Sequence, residues 1–395
     1  MTDPAADQLQ LAASLGRLGT ESAFEVLARA NALSQQGVDV INLGIGQPDF
    51  RTPEHIVQAG KDALDAGAHG YTPAAGLPEL RESVARQWSA RLENPVSADE
   101  VLIVAGGKVT MFFAILMFGE PGAEILYPNP GFPIYESVIA YSGATPVPIA
   151  LQEESGFAFD PDQVLAQITP QTRLIILNSP GNPTGGVVGR DVIDSLVAGL
   201  EQHPHVAILS DEIYDQILYD GREHVSLLDY PQIRDRLIVL NGWSKTYAMT
   251  GWRLGYSFWP RTLLPHAERL AINSYSCPNA ATQHAGLAAL EGPQDAVQAM
   301  VSEFDSRRSV VVEELNAVPG FRCVQPAGAF YAFPNIDETG FSAQALQDKL
   351  LEEVGVATVA GTSFGSYGQG YLRISYANST ENIRRAIARI RSLLS

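Results

Sequence analysis

The sequence predicts an α/β protein: a three-layer α/β/α large domain around a mostly parallel sheet, with a smaller α+β domain. Three observations carry this reading. Short apolar runs at 101–104, 124–127, 173–177, 206–210 and 237–240 alternate with helical segments near 132–141, 161–168 and 190–201, the pattern of parallel strands joined by crossover helices. From about residue 291 the pattern changes to a long helix at 294–318 followed by short strands and further helices. At 395 residues the chain also exceeds the size at which a single core keeps growing. The expected division is a large domain over 48–290 and a small one assembled from 1–47 and 291–395.

Taken in order, residues 8–37 carry a helical pattern (Leu18, Phe24, Val26, Leu27, Ala30, Leu33) that leads into a strand at 38–43. Gly44-Ile45-Gly46-Gln47-Pro48 then reads as a turn, because a third glycine is missing from the dinucleotide fingerprint and Pro48 opposes a helix start. A helix follows at 54–65, and Pro78 suits the first turn of another that runs to about 92. Ala105-Gly106-Gly107-Lys108 joins the strand at 101–104 to an apolar helix at 109–118, which places backbone amides at a helix start where anions bind. It is not a Walker motif, since Val109 separates Lys108 from Thr110. In the C-terminal part, strands are expected at 321–324, 328–333, 356–359 and 371–376, and a helix near 343–353. The closing helix starts at Ser379 or Thr380 and carries Ile383, Ile387, Ile390 and Leu394 on one face. There is no low-complexity linker and no internal repeat.

Composition narrows the partners. A net charge of -18 disfavours nucleic acid and anionic membranes, which need a basic footprint. No apolar run approaches the roughly 18 residues of a membrane span. Residues 1–7 lack the basic start and apolar stretch of a signal peptide, so the expected compartment is the cytoplasm. Cys277 and Cys323 are isolated, and His203 and His205 have no third ligand nearby, so no metal is expected.

The chemistry lies where strands end, because open α/β sheets bind ligands outside the carboxyl ends of their strands. Four apolar runs terminate in polar clusters: 128–132, Asn178 to Gly185, Asp211-Glu212-Ile213-Tyr214, and Ser244-Lys245. Lys245 stands in an otherwise almost uncharged, aromatic and glycine-rich stretch between two buried strands. A lysine desolvated there becomes a usable amine nucleophile. Arg253, eight residues on, is a planar fork suited to a phosphate. Singly, each has a plain structural reading: Asp211 as a helix cap, Asn182-Pro183-Thr184-Gly185 as a turn, Phe132 as core. Jointly, an amine, a phosphate-binding turn and an aspartate with a tyrosine three residues beyond are what pyridoxal phosphate requires.

Leu43 to Phe50, Tyr71-Thr72-Pro73, Gly106-Gly107-Lys108, Asn182-Pro183-Thr184-Gly185, Asp211 to Tyr214, Ser244-Lys245 with Arg253, and Tyr371 to Ser375 resemble the motifs of the fold-type I pyridoxal phosphate aminotransferases. Within them the resemblance is to the bacterial aspartate aminotransferase-like subgroup, and it covers nearly all of the chain. It implies a homodimeric transaminase that moves an amino group from an L-amino acid to a 2-oxo acid in two half-reactions. By resemblance, Lys245 is the lysine that links to the cofactor and then moves the substrate proton, and Asp211 pairs with the pyridine nitrogen. Tyr214 and Asn182 hold the ring oxygen, and Phe132 stacks on the ring. The Gly107 and Lys108 amides, Ser244 and Arg253 hold the phosphate, with Tyr71 reaching it from the second subunit. Arg373 takes the substrate α-carboxylate, and Gly46 and Asn182 line its pocket.

Two departures bear on the substrate. No arginine lies between Arg269 and Arg307 to read a distal carboxylate from the partner subunit, and Lys108 matches the residue implicated instead. Ala360-Gly361 stands where many relatives have Pro-Gly. The alternatives on this fold are a carbon–sulfur β-lyase, a decarboxylase or an oxidase. A cofactor-sensing regulator is opposed by the lack of a basic helix-turn-helix segment before residue 38, and a nicotinamide dehydrogenase by the incomplete glycine fingerprint.

Overall fold

Neighbouring residues of a strand point to opposite faces of its sheet, so a strand apolar at every position must be covered on both sides. The computed structural model describes residues 9–395 and shows this arrangement; the N-terminal reading at residues 1–7 lies outside the described residues. The strands are β1 (Ile41–Asn42), β2 (Val101–Val104), β3 (Glu124–Asn129), β4 (Thr145–Ala150), β5 (Thr172–Asn178), β6 (Ala207–Asp211), β7 (Leu237–Gly242), β8 (Gly255–Phe258), β9 (Tyr331–Ala332), β10 (Val356–Ala357), β11 (Val359–Ala360) and β12 (Leu372–Ser375). Seven of them form one sheet in the order β2-β8-β7-β6-β5-β3-β4. β8 runs antiparallel to both its neighbours, and the other pairings are parallel.

Leu174 and Ile176 of β5 enter one core and Ile175 and Leu177 the other, and β6 and β7 divide in the same way. Helices Pro78–Ser89 and Arg190–Leu200 cover one face, with Leu80, Val84, Trp88, Ile193 and Leu196 buried. Helices Lys108–Phe118, Ile134–Ser142 and Leu264–Tyr275 cover the other. The three-layer, mostly parallel architecture is therefore as the apolar runs predict.

A separate apolar cluster joins Met300, Phe304, Val311 and Leu315 of helix Asp295–Asn316 to Leu346, Leu350, Ile383, Ile387 and Ile390 of the last two helices. β1 pairs in parallel with β10, which stitches the N-terminal segment onto this C-terminal part, while β11, β12 and β9 form a small antiparallel sheet. Ser379 caps the closing helix through the Asn382 amide.

The structure departs from the sequence reading at several places. β4 is an unread strand: Pro146 and Pro148 disguise it, and they are tolerated because β4 is the sheet edge, where missing amide donors go unused. The pattern at 8–37 breaks into a short turn of helix at Ala13–Arg17 and a helix at Ser22–Gln35. The strand at 38–43 shortens to β1, and the one at 321–324 to a single bridge between Arg322 and Asn335. Helices Leu264–Tyr275 and Ala280–Glu291 were also not evident in the sequence.

Candidate active site

β7 ends at Gly242 and passes directly into a one-turn helix, Trp243–Thr246, whose third residue is Lys245. The Trp243 indole N–H donates to the Gly286 carbonyl at 3.0 Å and is itself fully buried, which fixes the turn. Lys245 Nζ donates to the Gly46 carbonyl at 2.6 Å and stands 5.8 Å and 5.7 Å from the ring centres of Tyr214 and Phe330. The residue keeps partial solvent access through the crevice, but its amine is enclosed by protein. Burial, with added repulsion from Arg373 and Arg253, lowers its pKa to about 7 against the partial opposition of Asp211. An ammonium in that state gives up its proton near neutrality.

Asp211, the last residue of β6, is 2% exposed. Its Oδ2 accepts the Tyr135 hydroxyl at 2.6 Å and its Oδ1 the Ile213 amide at 3.2 Å. Burial raises its pKa to about 6 even though both hydrogen bonds favour the carboxylate. Asn178, closing β5, donates to the Asp211 carbonyl and accepts from the Asn182 amide, both at 3.0 Å, so neighbouring strand ends hold Asp211 and Asn182 in register. The Tyr214 and Tyr331 hydroxyls share a hydrogen bond of 2.7 Å.

Arg373, on β12, is 3% exposed. Its Nη1 donates to Asn182 Oδ1 at 3.0 Å and its Nη2 to the Gly44 carbonyl, while Tyr331 and Phe364 flank the guanidinium at 4.8 Å and 4.7 Å. Nε is buried without a hydrogen-bond partner. Gly46 is required beside it, because a Cβ there would lie 2.3 Å from the Tyr331 hydroxyl. Ala360 also finds its reason here. Its φ of -58° suits proline, but its amide donates to Gln347 Oε1 at 2.8 Å, a bond proline cannot make. β11 thereby stays anchored beside Arg373, which pairs with Val359.

Gly106 and Gly107 precede helix Lys108–Phe118 as the motif predicts. Gly106 has φ +91°, and a Cβ on it would fall 2.1 Å from Arg253 Nη2, so only glycine lets the guanidinium close over this turn. Arg253 itself adopts a left-handed φ of +55° and donates to the Thr250 carbonyl at 2.7 Å, a strained conformation of the kind kept at functional sites. Ser244 is buried next to Lys245. Lys108 leaves the turn on its own course: Nζ lies 5.4 Å from the Phe132 ring centre and 5.8 Å from that of Phe24, and pairs with the Glu21 carboxylate. Phe132 packs edge-on against Tyr135, the partner of Asp211.

One sequence-predicted residue stands apart. Tyr71 is 91% exposed and meets none of the others. Tyr135, Tyr331 and Glu21 join the cluster without a sequence signal. The first two sit in segments whose apolar pattern reads as plain core, and Glu21 occupies an N-cap position without capping its helix. Among the described residues no group of three His, Cys, Asp or Glu side chains is placed to hold a metal ion, and no helix is long and apolar enough to cross a membrane.

An enclosed amine, a buried acid that faces the same crevice, and a glycine turn closed by a guanidinium fit the aldehyde, ring nitrogen and phosphate of one cofactor. On this sheet they define a fold-type I pyridoxal phosphate enzyme. Comparison with known proteins narrows the class. The sequence profile of aminotransferase class I and II matches residues 38–390, and the chain belongs to that family. It is 39% identical over 377 residues to an aspartate aminotransferase of Pyrococcus horikoshii, covering 94% of this chain and 93% of the relative. It is 37% identical over 365 residues to aromatic-amino-acid aminotransferase 2 of Thermococcus litoralis, covering 91% and 93%. Among solved structures, aspartate aminotransferase from Thermus thermophilus with maleate superposes with a TM-score of 0.92 at 34% identity, covering 98% of this chain and all (100%) of the other. The protein is a pyridoxal phosphate-dependent transaminase.

Proposed function

We propose that the transaminase takes a dicarboxylic amino acid, aspartate or glutamate, and a 2-oxo acid, and works as a homodimer. The observation that carries the substrate reading is Lys108, a cation whose Nζ lies 5.4 Å from the centre of the Phe132 ring. Arg373 takes the α-carboxylate in a bidentate pair, and Lys108 is left to read a second one. Two cations select a dicarboxylate by charge.

The other residues divide the remaining work. Bound pyridoxal phosphate supplies the electron sink for the substrate α-carbon. Lys245 Nζ takes the α-proton and returns it, a task matched to an amine with a pKa of about 7. Asp211 keeps the pyridine nitrogen protonated, and Tyr135 orients its carboxylate. Tyr214 and Asn182 would hold the ring oxygen and Phe132 the ring, and the Gly107 and Lys108 amides, Ser244 and Arg253 would hold the phosphate.

The dimer reading is supported by Tyr71, too exposed to act within its own protomer, and by the exposed apolar side chains Leu9, Leu11, Leu15 and Leu18. We assign a large unit at 48–290 and a small one from the N-terminal segment and 291–395, supported by the β1–β10 pairing and the separate C-terminal core. The compartment we assign is the cytoplasm, in keeping with the free Cys277 and Cys323.

The substrate reading is tested by Lys108→Ala with aspartate and phenylalanine as donors. Loss of about 10-fold in kcat/KM for aspartate, with phenylalanine spared, is the expected outcome. Equal losses for both would assign Lys108 to the cofactor phosphate instead.

A further inference from the structure

Glu21 is placed like a helix N-cap but used differently. It directly precedes helix Ser22–Gln35, and its side chain accepts no amide of that helix. Instead it reaches 87 residues along the chain to pair with Lys108. Its side chain is 13% exposed and that of Lys108 is 42% exposed, so the carboxylate is the more enclosed partner. Burial lowers the pKa values of Lys245 and Arg373, and the Glu21 charge is among the influences that offset this at both. Phe24, one turn into the same helix, and Phe132 flank the pair with aromatic surface.

We propose that Glu21 is a specificity-determining residue: it holds Lys108 neutralised while a neutral side chain is bound, and yields Lys108 to the distal carboxylate of a dicarboxylic substrate. The inference rests on the reading of Lys108 as the distal-carboxylate group. A neutral or aromatic side chain entering between Phe24 and Phe132 would otherwise face an unpaired ammonium, which is costly to desolvate. With Glu21 in place it meets a compensated pair and two aromatic rings. A dicarboxylate exchanges one carboxylate for another on Lys108, and the displaced Glu21 remains nearby as a like charge. One site thereby serves both substrate classes, and Glu21 sets the balance between them.

The test uses the holoenzyme and two unreactive ligands, succinate for the dicarboxylate and 3-phenylpropionate for the neutral side chain, with dissociation constants from calorimetry. Glu21→Gln keeps the shape and removes the charge. Succinate is expected to bind about 5-fold tighter or more to this variant, and 3-phenylpropionate equally or more weakly. In the double variant Glu21→Gln with Lys108→Ala the succinate gain disappears. Unchanged or weaker succinate binding to Glu21→Gln, an equal gain for both ligands, or a gain that survives loss of Lys108 would each overturn the proposal. Lys108→Ala alone separates this from the reading beneath it. If that variant loses succinate affinity while Glu21→Gln changes nothing, only the role of Glu21 fails. If it binds succinate as well as the unaltered enzyme, the dicarboxylate reading itself fails.

Discussion

The two sides of the crevice are built from different materials. On the sheet side, Asp211, Asn182 and Tyr214 are almost free of solvent and stand on strand ends cross-linked by Asn178 and by one another. On the N-terminal side, Lys108, Glu21 and Phe24 keep solvent access and meet through side chains alone. The difference teaches a division of labour. On the proposed reading, the groups assigned to the cofactor stand on cross-linked strand ends, whereas those assigned to substrate choice are side chains free to exchange partners.

If that division holds, damage should grade from the sheet side outward. Lys245→Ala is expected to lower kcat by about 1,000-fold or more, since it removes the group proposed to move the proton. Retention of activity and of the cofactor's visible absorbance in that variant would break the comparison outright. Arg373→Ala should raise KM by about 100-fold for every amino acid, because all share the α-carboxylate; a loss confined to dicarboxylates would place the wrong group there.

The smallest effect belongs to Tyr135→Phe, which removes a hydrogen bond to Asp211 and should cost about 5-fold in kcat. Its pH signature is sharper than its rate. Asp211 has a folded pKa of about 6, above its ordinary 3.8, so the cofactor-free protein loses stability as pH rises from 3.8 to 6. The penalty above pH 6 is about 3 kcal/mol. Without the Tyr135 hydroxyl the folded pKa climbs, and the falling limb extends to higher pH. Lys245 acts in the opposite direction: its folded pKa of about 7 lies below its ordinary 10.5, so stability rises between pH 7 and 10.5, and Lys245→Met should abolish that rise. Denaturant unfolding of the cofactor-free proteins across pH reads both limbs.

The same contrast explains what the sequence disclosed. Asn182, Asp211, Tyr214 and Lys245 were legible because each follows an apolar run, and a buried strand announces where its carboxyl end lies. Arg373 was singled out by the resemblance of Tyr371 to Ser375 to the family's motif. Its orphaned Nε was not, since that depends on how Tyr331, Phe364 and Asn182 close around it. Glu21 left no trace, because its partner is brought near only by tertiary structure. Tyr135 is equally silent: a helix on the sheet face aims its hydroxyl at Asp211 from within an apolar core. The edge strand β4 was hidden by the prolines that an edge permits. At Ala360 the departure from Pro-Gly was visible, but its reason, the bond to Gln347, was not.

The central claim is that this crevice moves an amino group and is open to dicarboxylates. Its most direct measurement mixes the holoenzyme with L-aspartate alone and follows the cofactor absorbance through one turnover. The expected result is full conversion of the cofactor to its amino form with one equivalent of oxaloacetate, reversed on addition of 2-oxoglutarate. Continued consumption of aspartate without a 2-oxo acid, or no conversion with aspartate where phenylalanine converts fully, would contradict it.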